Sequence, residues 1–319
     1  MASVAPDLPD ALGVPPGGGA VRRSPRGLVW ARLRRDRGAQ IGGAIIVAVA
    51  LLAILADVIA RIVGHPVDEL YPTQTDDFGV PLGPTGDFVF GADPAGRDLF
   101  VRVLYGARTS LLIAAVATGV SLVVGVALGV LAGYLGRWVD TVISRLTDVV
   151  LAMPLFLLAI GVVAACGVRG CLGGAVEPGR SLVVFVVALF SWPYIARVVR
   201  GQTIALREQA FVEASRSLGA SSLRIMTREL LPNLAAPIAV LATLLIPSTI
   251  VFEASLSFLG LGLPDAVPSW GRMLSDATQW YDVAWWTLAF PGAFLLVTVL
   301  AFNLLGDALR DAVDPRGGR

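Results

Sequence analysis

Residues 109–134 read TSLLIAAVATGVSLVVGVALGVLAGY, an unbroken run without a charged side chain. A bilayer core of about 30 Å is crossed by about 20 apolar residues in helical form, so this run is long enough to span one. Lipid offers no partner to a free backbone N–H or C=O, and the run is far longer than a barrel strand, so it is predicted to be a helix. Within it, Gly119, Gly125, Gly129 and Gly133 sit at spacings that let a second helix approach closely. The stretch therefore predicts a bundle of membrane helices.

Comparable runs lie on either side, at residues 41–63, 138–165, 181–199, 233–259 and 285–305, which gives about six transmembrane helices. The fold class is all-α, a polytopic membrane protein. Composition agrees: hydrophobic residues make up 55% of the chain and charged residues 15%, against about 25% charge in an ordinary soluble domain. The mean hydropathy is +0.74. Pro154, Pro193, Pro237, Pro247 and Pro291 fall inside these runs and predict kinks made for packing.

Arginine sets the orientation, because positive charge collects on the cytoplasmic side. Arg22, Arg23, Arg26, Arg32, Arg34, Arg35 and Arg37 precede the first span, whereas the segment after it is acidic, with Asp68, Glu69, Asp76, Asp77, Asp87, Asp93 and Asp98. The N-terminus is expected in the cytosol. Six spans then return Arg310, Arg316 and Arg319 to the same side and put residues 201–232 there too. Residues 1–40 read as a basic, Gly- and Pro-rich, largely disordered cytosolic tail. Residues 41–108 form the first helix and an extracytoplasmic segment, and residues 109–315 the membrane core. The first apolar stretch starts too late and is too long for a cleavable signal peptide.

Several chemistries are excluded. All 25 basic residues are arginine, so the lysine that a P-loop aims at nucleotide phosphates is missing. Energy from ATP, if used, must come from a partner. Gly17–Gly19 lies in the tail and Gly260-Leu261-Gly262 follows a membrane span, so neither is a dinucleotide loop. No G-x-S-x-G occurs, and His65 is the single histidine, which leaves no basis for an enzyme. Cys166, Cys171 and His65 are too few for a structural metal site, and none is expected. The two cysteines flank residues 167–170, which the topology places outside, where thiols oxidise; the pair is a candidate disulfide. His65, before Pro66 at a membrane boundary, reads as an interfacial residue.

The cytosolic segment 201–232 carries the clearest local pattern. Residues 207–219 read as a helix with Gly219 as a left-handed C-cap, and Ser221 or Ser222 as N-cap of a second short helix that stops at Pro232. This predicts a helix-turn-helix standing in the cytosol.

The run Glu213-Ala214-Ser215-x3-Gly219, followed by Leu231-Pro232, resembles the EAA loop of permease subunits of ATP-binding-cassette importers. Ser215 replaces the second Ala, and Glu229 stands where many members carry Ile. Phe90-Gly91-Ala92-Asp93-x3-Gly96-Arg97-Asp98, Tyr105-Gly106-Ala107-Arg108-Thr109-Ser110-Leu111, Glu253-Ala254-x-Leu256-Ser257-Phe258-Leu259-Gly260-Leu261-Gly262, Pro268-Ser269-Trp270-Gly271 and Phe302-Asn303-Leu304-Leu305-Gly306-Asp307-x-Leu309-Arg310-Asp311 resemble the C-type subunit of dipeptide and oligopeptide permeases. The resemblance covers nearly all of residues 41–315 and leaves the first 40 outside.

It implies a type I importer transmembrane domain of the MetI-like kind in a bacterial plasma membrane. Glu213, Ala214, Ser215, Gly219, Leu231 and Pro232 would form the contact with a cytosolic ATPase subunit. The implied partners are a homologous permease subunit, the ATPase subunits, an extracytoplasmic peptide-binding protein, a peptide substrate and the lipid bilayer, with no nucleic acid. ATP and Mg would be bound by the ATPase, with no cofactor in this chain. The same architecture also imports nickel chelates and glutathione, so the solute is not legible here. A secondary transporter driven by an ion gradient would need titratable groups in mid-span and inverted repeats, and few such groups occur.

Three side-chain expectations complete the reading. Glu253, near the outer end of the fifth span, is either a pore or gate residue or a locally paired interfacial carboxylate. Arg145 and Asp148, three residues apart on one helix face, are expected to pair. The acidic segment 64–108 is long enough to touch the binding protein.

Overall fold

A computed structural model describes residues 31–167 and 170–313 of the chain. Most of the residues 1–40 expected to form a disordered tail lie outside the described part. Helix α1 begins inside that stretch, at Arg37 instead of residue 41, because the Asp36 carboxylate accepts the Ala39 N–H at 2.7 Å and fixes the start.

The apolar run 41–63 is divided at Leu55 into α1 (Arg37–Ile54) and α2 (Ala56–Val63), and Gly64 ends α2 with a φ of +83°. An outer segment leads to α3 (Leu99–Leu135), which extends ten residues before the apolar run that predicts it. The early start is set by Asp98, whose carboxylate accepts the N–H groups of Phe100 at 2.8 Å and Val101 at 3.2 Å.

The third run is broken in two. Helices α4 (Arg137–Ala152) and α5 (Leu155–Cys166) meet at 90°. Pro154 has no N–H to continue the helix, and it forces Met153 into an extended conformation. Pro193, in contrast, sits inside an unbroken α6 (Arg180–Arg207).

Two further short-helix and long-helix pairs follow. Helix α7 (Ala210–Ser217) precedes the long α8 (Ser222–Phe258), and α9 (Trp270–Ala277) precedes α10 (Trp286–Val313). Pro232 does not end a helix as the sequence predicts. Residues Ile225–Leu230 form a π-helical stretch in which the Leu231 N–H reaches the Met226 carbonyl, and this wider turn takes the proline into α8. The Asn233 amide also donates to the Glu229 carbonyl at 2.6 Å. By length and composition five single helices can cross a bilayer, and six spans result if the bent pair counts as one.

The tightest packing is between α3 and α6. A Cβ on Gly125, Gly129 or Gly133 would lie within 2.9 Å of Ile195, of Ala196 and Val199, or of Arg200 and Thr203 respectively. These three positions recur every four residues and form one stripe. Gly119, which the sequence groups with them, has nothing within 4 Å of its would-be Cβ. Six residues before Gly125, it falls on another face of the helix. A second core centres on Trp270, fully buried, whose indole N–H donates to the Val103 carbonyl at 3.1 Å.

A methyl group separates the two kinds of glycine. Gly129→Ala should destabilise the detergent-solubilised protein by about 1–3 kcal/mol through overpacking, and Gly119→Ala should leave it unchanged. Thermal unfolding followed by size-exclusion chromatography reads the difference.

Candidate functional site

Residues 201–232 are held by the ends of the two most closely packed helices. Gly136, with φ +62°, terminates α3. The Arg207 guanidinium, at the end of α6, donates to the exposed carbonyls of Gly133 and Tyr134 at 3.3 Å each. Asp140 of α4 takes both arms of Arg200, with Nη2 to Oδ2 at 2.7 Å. The segment therefore projects from a braced helix pair.

One side chain anchors α7 beneath. Val212 is fully buried in a cluster with Ile225, Leu230, Leu234, Val199 and Tyr134. The opposite face is open: Glu213 and Ala214 are exposed, and Leu218 is 88% exposed. Among the described residues Glu213, Arg216, Arg224 and Arg228 make no ion pair.

The turn after α7 is a Schellman motif. The Ala220 N–H reaches the Ser215 carbonyl at 3.1 Å and the Gly219 N–H the Arg216 carbonyl at 3.0 Å. Gly219 supplies the left-handed φ of +79°, and its would-be Cβ meets nothing within 4 Å. Ser221 then caps α8 by accepting the Arg224 N–H. Leu231 and Pro232 lie one π-helical stretch further on. Leu231 lines a cleft of about 530 Å³ between α3 and α8 with Leu223, Met226 and Val126.

Sequence reasoning missed Leu218 and Leu223, the latter 68% exposed. Large apolar residues on either side of a glycine turn, in a segment otherwise polar, were the available signal.

The outer side contains a second organised region. Asp93 Oδ1 accepts the N–H groups of Ala95 and Arg97, both at 2.9 Å, and its Oδ2 takes Arg97 Nε at 2.7 Å. Arg102, only 1% exposed, adds its Nε to the same carboxylate at 3.1 Å. Gly91 and Gly96 take positive φ in this loop, and a Cβ on Gly96 would collide with the Tyr71 carbonyl at 2.9 Å. His65 is not simply interfacial. Its Nδ1 lies 2.5 Å from Asp98 Oδ2, and its ring stacks on Phe88 at 4.4 Å. Burial, with help from the Glu69 carboxylate, pushes the Tyr71 phenol up to about 12, so it stays a hydrogen-bond donor.

Glu253 lies in a closed nest. Fully buried, it accepts Ser110 Oγ of α3 at 3.0 Å and Ser257 Oγ of its own helix at 2.8 Å. Its surroundings match local pairing between helices, and it lines none of the clefts described here. Asp148 pairs with Arg197 of α6 at 2.7 Å instead of with Arg145, because α4 turns it toward α6. The sulfurs of Cys166 and Cys171 are joined, with Cα atoms 5.0 Å apart. Among the described residues no group of three or more His, Cys, Asp or Glu side chains has a metal-site arrangement.

Long apolar helices, a bent helix pair and a braced polar segment define a helical, multi-pass membrane protein. The chain belongs to the family described as binding-protein-dependent transport system inner membrane component, whose profile matches residues 125–318. A second profile, the N-terminal TM domain of oligopeptide transport permease C, matches residues 24–79 and so reaches into the stretch that the sequence resemblance left outside. The dipeptide transport system permease protein DppC of Alkalihalophilus pseudofirmus is 39% identical over 92% of this chain and 90% of its own length. The glutathione transport system permease protein GsiD of Escherichia coli is 41% identical over 92% and 91%. A putative peptide transport system permease protein of Brucella abortus is 38% identical over 93% and 94%. Among solved structures, an inward-facing MetNI methionine ABC transporter chain superposes with a TM-score of 0.54 at 20% identity, over 68% of this chain and 98% of that one. That likeness carries the fold alone. The protein is a multi-pass inner-membrane permease.

Conformation and anchoring separate at α7. Gly219→Ala should cost only about 1 kcal/mol, from its left-handed backbone, and accumulate normally in membranes. Val212→Asp, which buries a charge in the apolar cluster, should fail to accumulate. Immunoblots of membrane fractions read both.

Proposed function

We propose that this chain is one half of the pore of an ATP-driven peptide importer and performs no chemistry itself. The observation that carries the reading is α7: a short helix anchored by one valine, with Glu213, Ala214 and Leu218 turned outward and closed by the Gly219 turn. An exposed apolar side chain beside unpaired charges is suited to a protein contact. We assign that contact to a separate cytosolic ATPase subunit, which binds ATP and Mg. Glu213, Ala214, Ser215 and Gly219 form its centre, with Leu231 and Pro232 at its edge.

Membership of the family supports the remaining parts of this reading. A homologous permease subunit completes the pore, and an extracytoplasmic binding protein delivers a di- or oligopeptide. Both termini lie in the cytosol, in keeping with the arginine-rich residues 22–37 and the acidic outer segment. Peptide is favoured as solute because the relatives include a dipeptide and a putative peptide permease. Glutathione is the second reading, supported by 41% identity to a glutathione permease.

Glu213→Ala and Gly219→Asp should each abolish uptake of a labelled dipeptide in cells expressing the complete transporter. Membrane levels of the subunit should stay unchanged, and ATPase subunits should no longer co-purify. Wild-type uptake in these variants would overturn the assignment of α7. Competition by unlabelled glutathione against dipeptide separates the two solutes, and the purified chain alone should hydrolyse no ATP.

A further inference from the structure

The 90° break between α4 and α5 turns Phe156 toward α8 and α10, where it borders a cleft of about 370 Å³ lined also by Pro247, Ser248, Val251, Val299 and Asn303. A second cleft of about 450 Å³ shares Phe156 and Val251 and continues past Ser255 to Phe258 and Leu259. Together they make one groove along α8 from Pro247 to Phe258, eleven residues or about 16 Å of helix. That length matches about five residues of extended peptide.

The polar groups of the first cleft differ from those elsewhere in the bundle. Ser255 donates to the Val251 carbonyl, Ser257 to Glu253, Thr243 to the Val240 carbonyl, and Thr249 bonds Thr118. Ser248 and Asn303 alone line the first cleft with polar side chains, and among the described residues neither has a hydrogen-bond partner. Ser248 lies ten residues before Phe258, about 15 Å from the nearest end of its helix, and Asn303 borders the same cleft two residues before the inner end of the apolar run 285–305. Two polar side chains left without a partner in an otherwise apolar cleft suit a polar solute. No charged side chain lines either cleft among the described residues.

We infer that this groove is the solute-facing wall of the translocation path in this subunit, with Ser248 and Asn303 hydrogen-bonding the main chain of an extended peptide in transit. The inference rests on the peptide reading above. A donor–acceptor amide and a hydroxyl match the alternating C=O and N–H of a peptide backbone. The surrounding Phe156, Val251 and Val299 are apolar and uncharged, so they accept side chains without selecting for charge. Specificity among peptides is then set elsewhere, before the solute arrives.

The test uses the complete transporter in cells, with Ser248→Cys, Asn303→Cys and, as an exposed apolar control away from the groove, Val47→Cys. Because Cys166 and Cys171 are joined, this chain offers no free thiol of its own. A membrane-impermeant cationic methanethiosulfonate should label positions 248 and 303 and spare 47, and saturating trialanine should slow both reactions at least threefold. Asn303→Leu should lower trialanine uptake at least tenfold at unchanged membrane level, with Asn303→Gln restoring most of it. Absence of labelling at both positions, or equal labelling at 47, overturns the inference. So does labelling without protection in a transporter that imports trialanine. If the parent imports no trialanine, the peptide reading fails first and this inference falls with it. Should Asn303→Leu not accumulate, the labelling arm decides.

Discussion

The close contact of α3 with α6 is the constraint on which the other features hang. Lipid tails are as apolar as leucine, so two membrane helices gain little from hiding apolar side chains from their solvent. What holds them is van der Waals contact over a surface without gaps, and Gly125, Gly129 and Gly133 remove the side chains that would hold the backbones apart. The Ala196 and Arg200 carbonyls then lie where glycine Cβ atoms would have been. Polar clasps at the same end complete the joint, through Arg207 on the α3 carbonyls and Asp140 on Arg200. The Arg207 clasp would lose its partners if α3 and α6 stood further apart.

Helix α7 inherits its position from that joint. It follows α6 after a break of two residues, and Val212 enters a cluster built from α3, α6 and α8 side chains. A short helix of eight residues has no stability of its own in water. Its exposed face can therefore be polar and unpartnered only because the buried face is fixed by helices that pack independently of it. The π-helical stretch at Ile225–Leu230 serves the same end by delivering Ile225 and Leu230 into the cluster while accommodating Pro232.

Much of this was legible in the sequence, and what was not has physical reasons. Apolar runs located every span, since length and hydropathy are local properties. The left-handed turn at Gly219 was likewise readable, because glycine after a polar helix is a local signal. Pro154 and Pro232 were harder: a proline announces a missing donor but not what replaces it. At Pro154 nothing does and the helix turns, whereas at Pro232 a wider helical turn absorbs the loss. Gly119 belongs to the same small-residue run but lies out of phase with the stripe, and composition alone carries no phase. Ion pairs were least legible. Asp148 found Arg197 and His65 found Asp98 across 49 and 33 residues of sequence, distances at which spacing carries no information.

The same helix that meets α7 at one end organises the outer segment at the other. Helix α3 is a single run of 37 residues, about 55 Å long, and each terminus is satisfied by a dedicated group. At the outer end the Asp98 carboxylate caps two N–H groups and holds His65, while Asp93 binds Arg102 one turn further in. Between the ends, Ser110 reaches Glu253 and Thr118 reaches Thr249, so α8 is pinned to α3 along its outer half by hydrogen bonds and not only by packing. Burying a carboxylate without partners would be costly, and Glu253 is tolerable because hydroxyls from two helices surround it. Breaking that nest would strand a buried carboxyl group without partners, which makes the α3–α8 alignment costly to change by small steps. Elements hydrogen-bonded to α3 are thereby held in register with it, whereas α5, beyond the break at Pro154, meets the bundle through apolar side chains of α6 and α8.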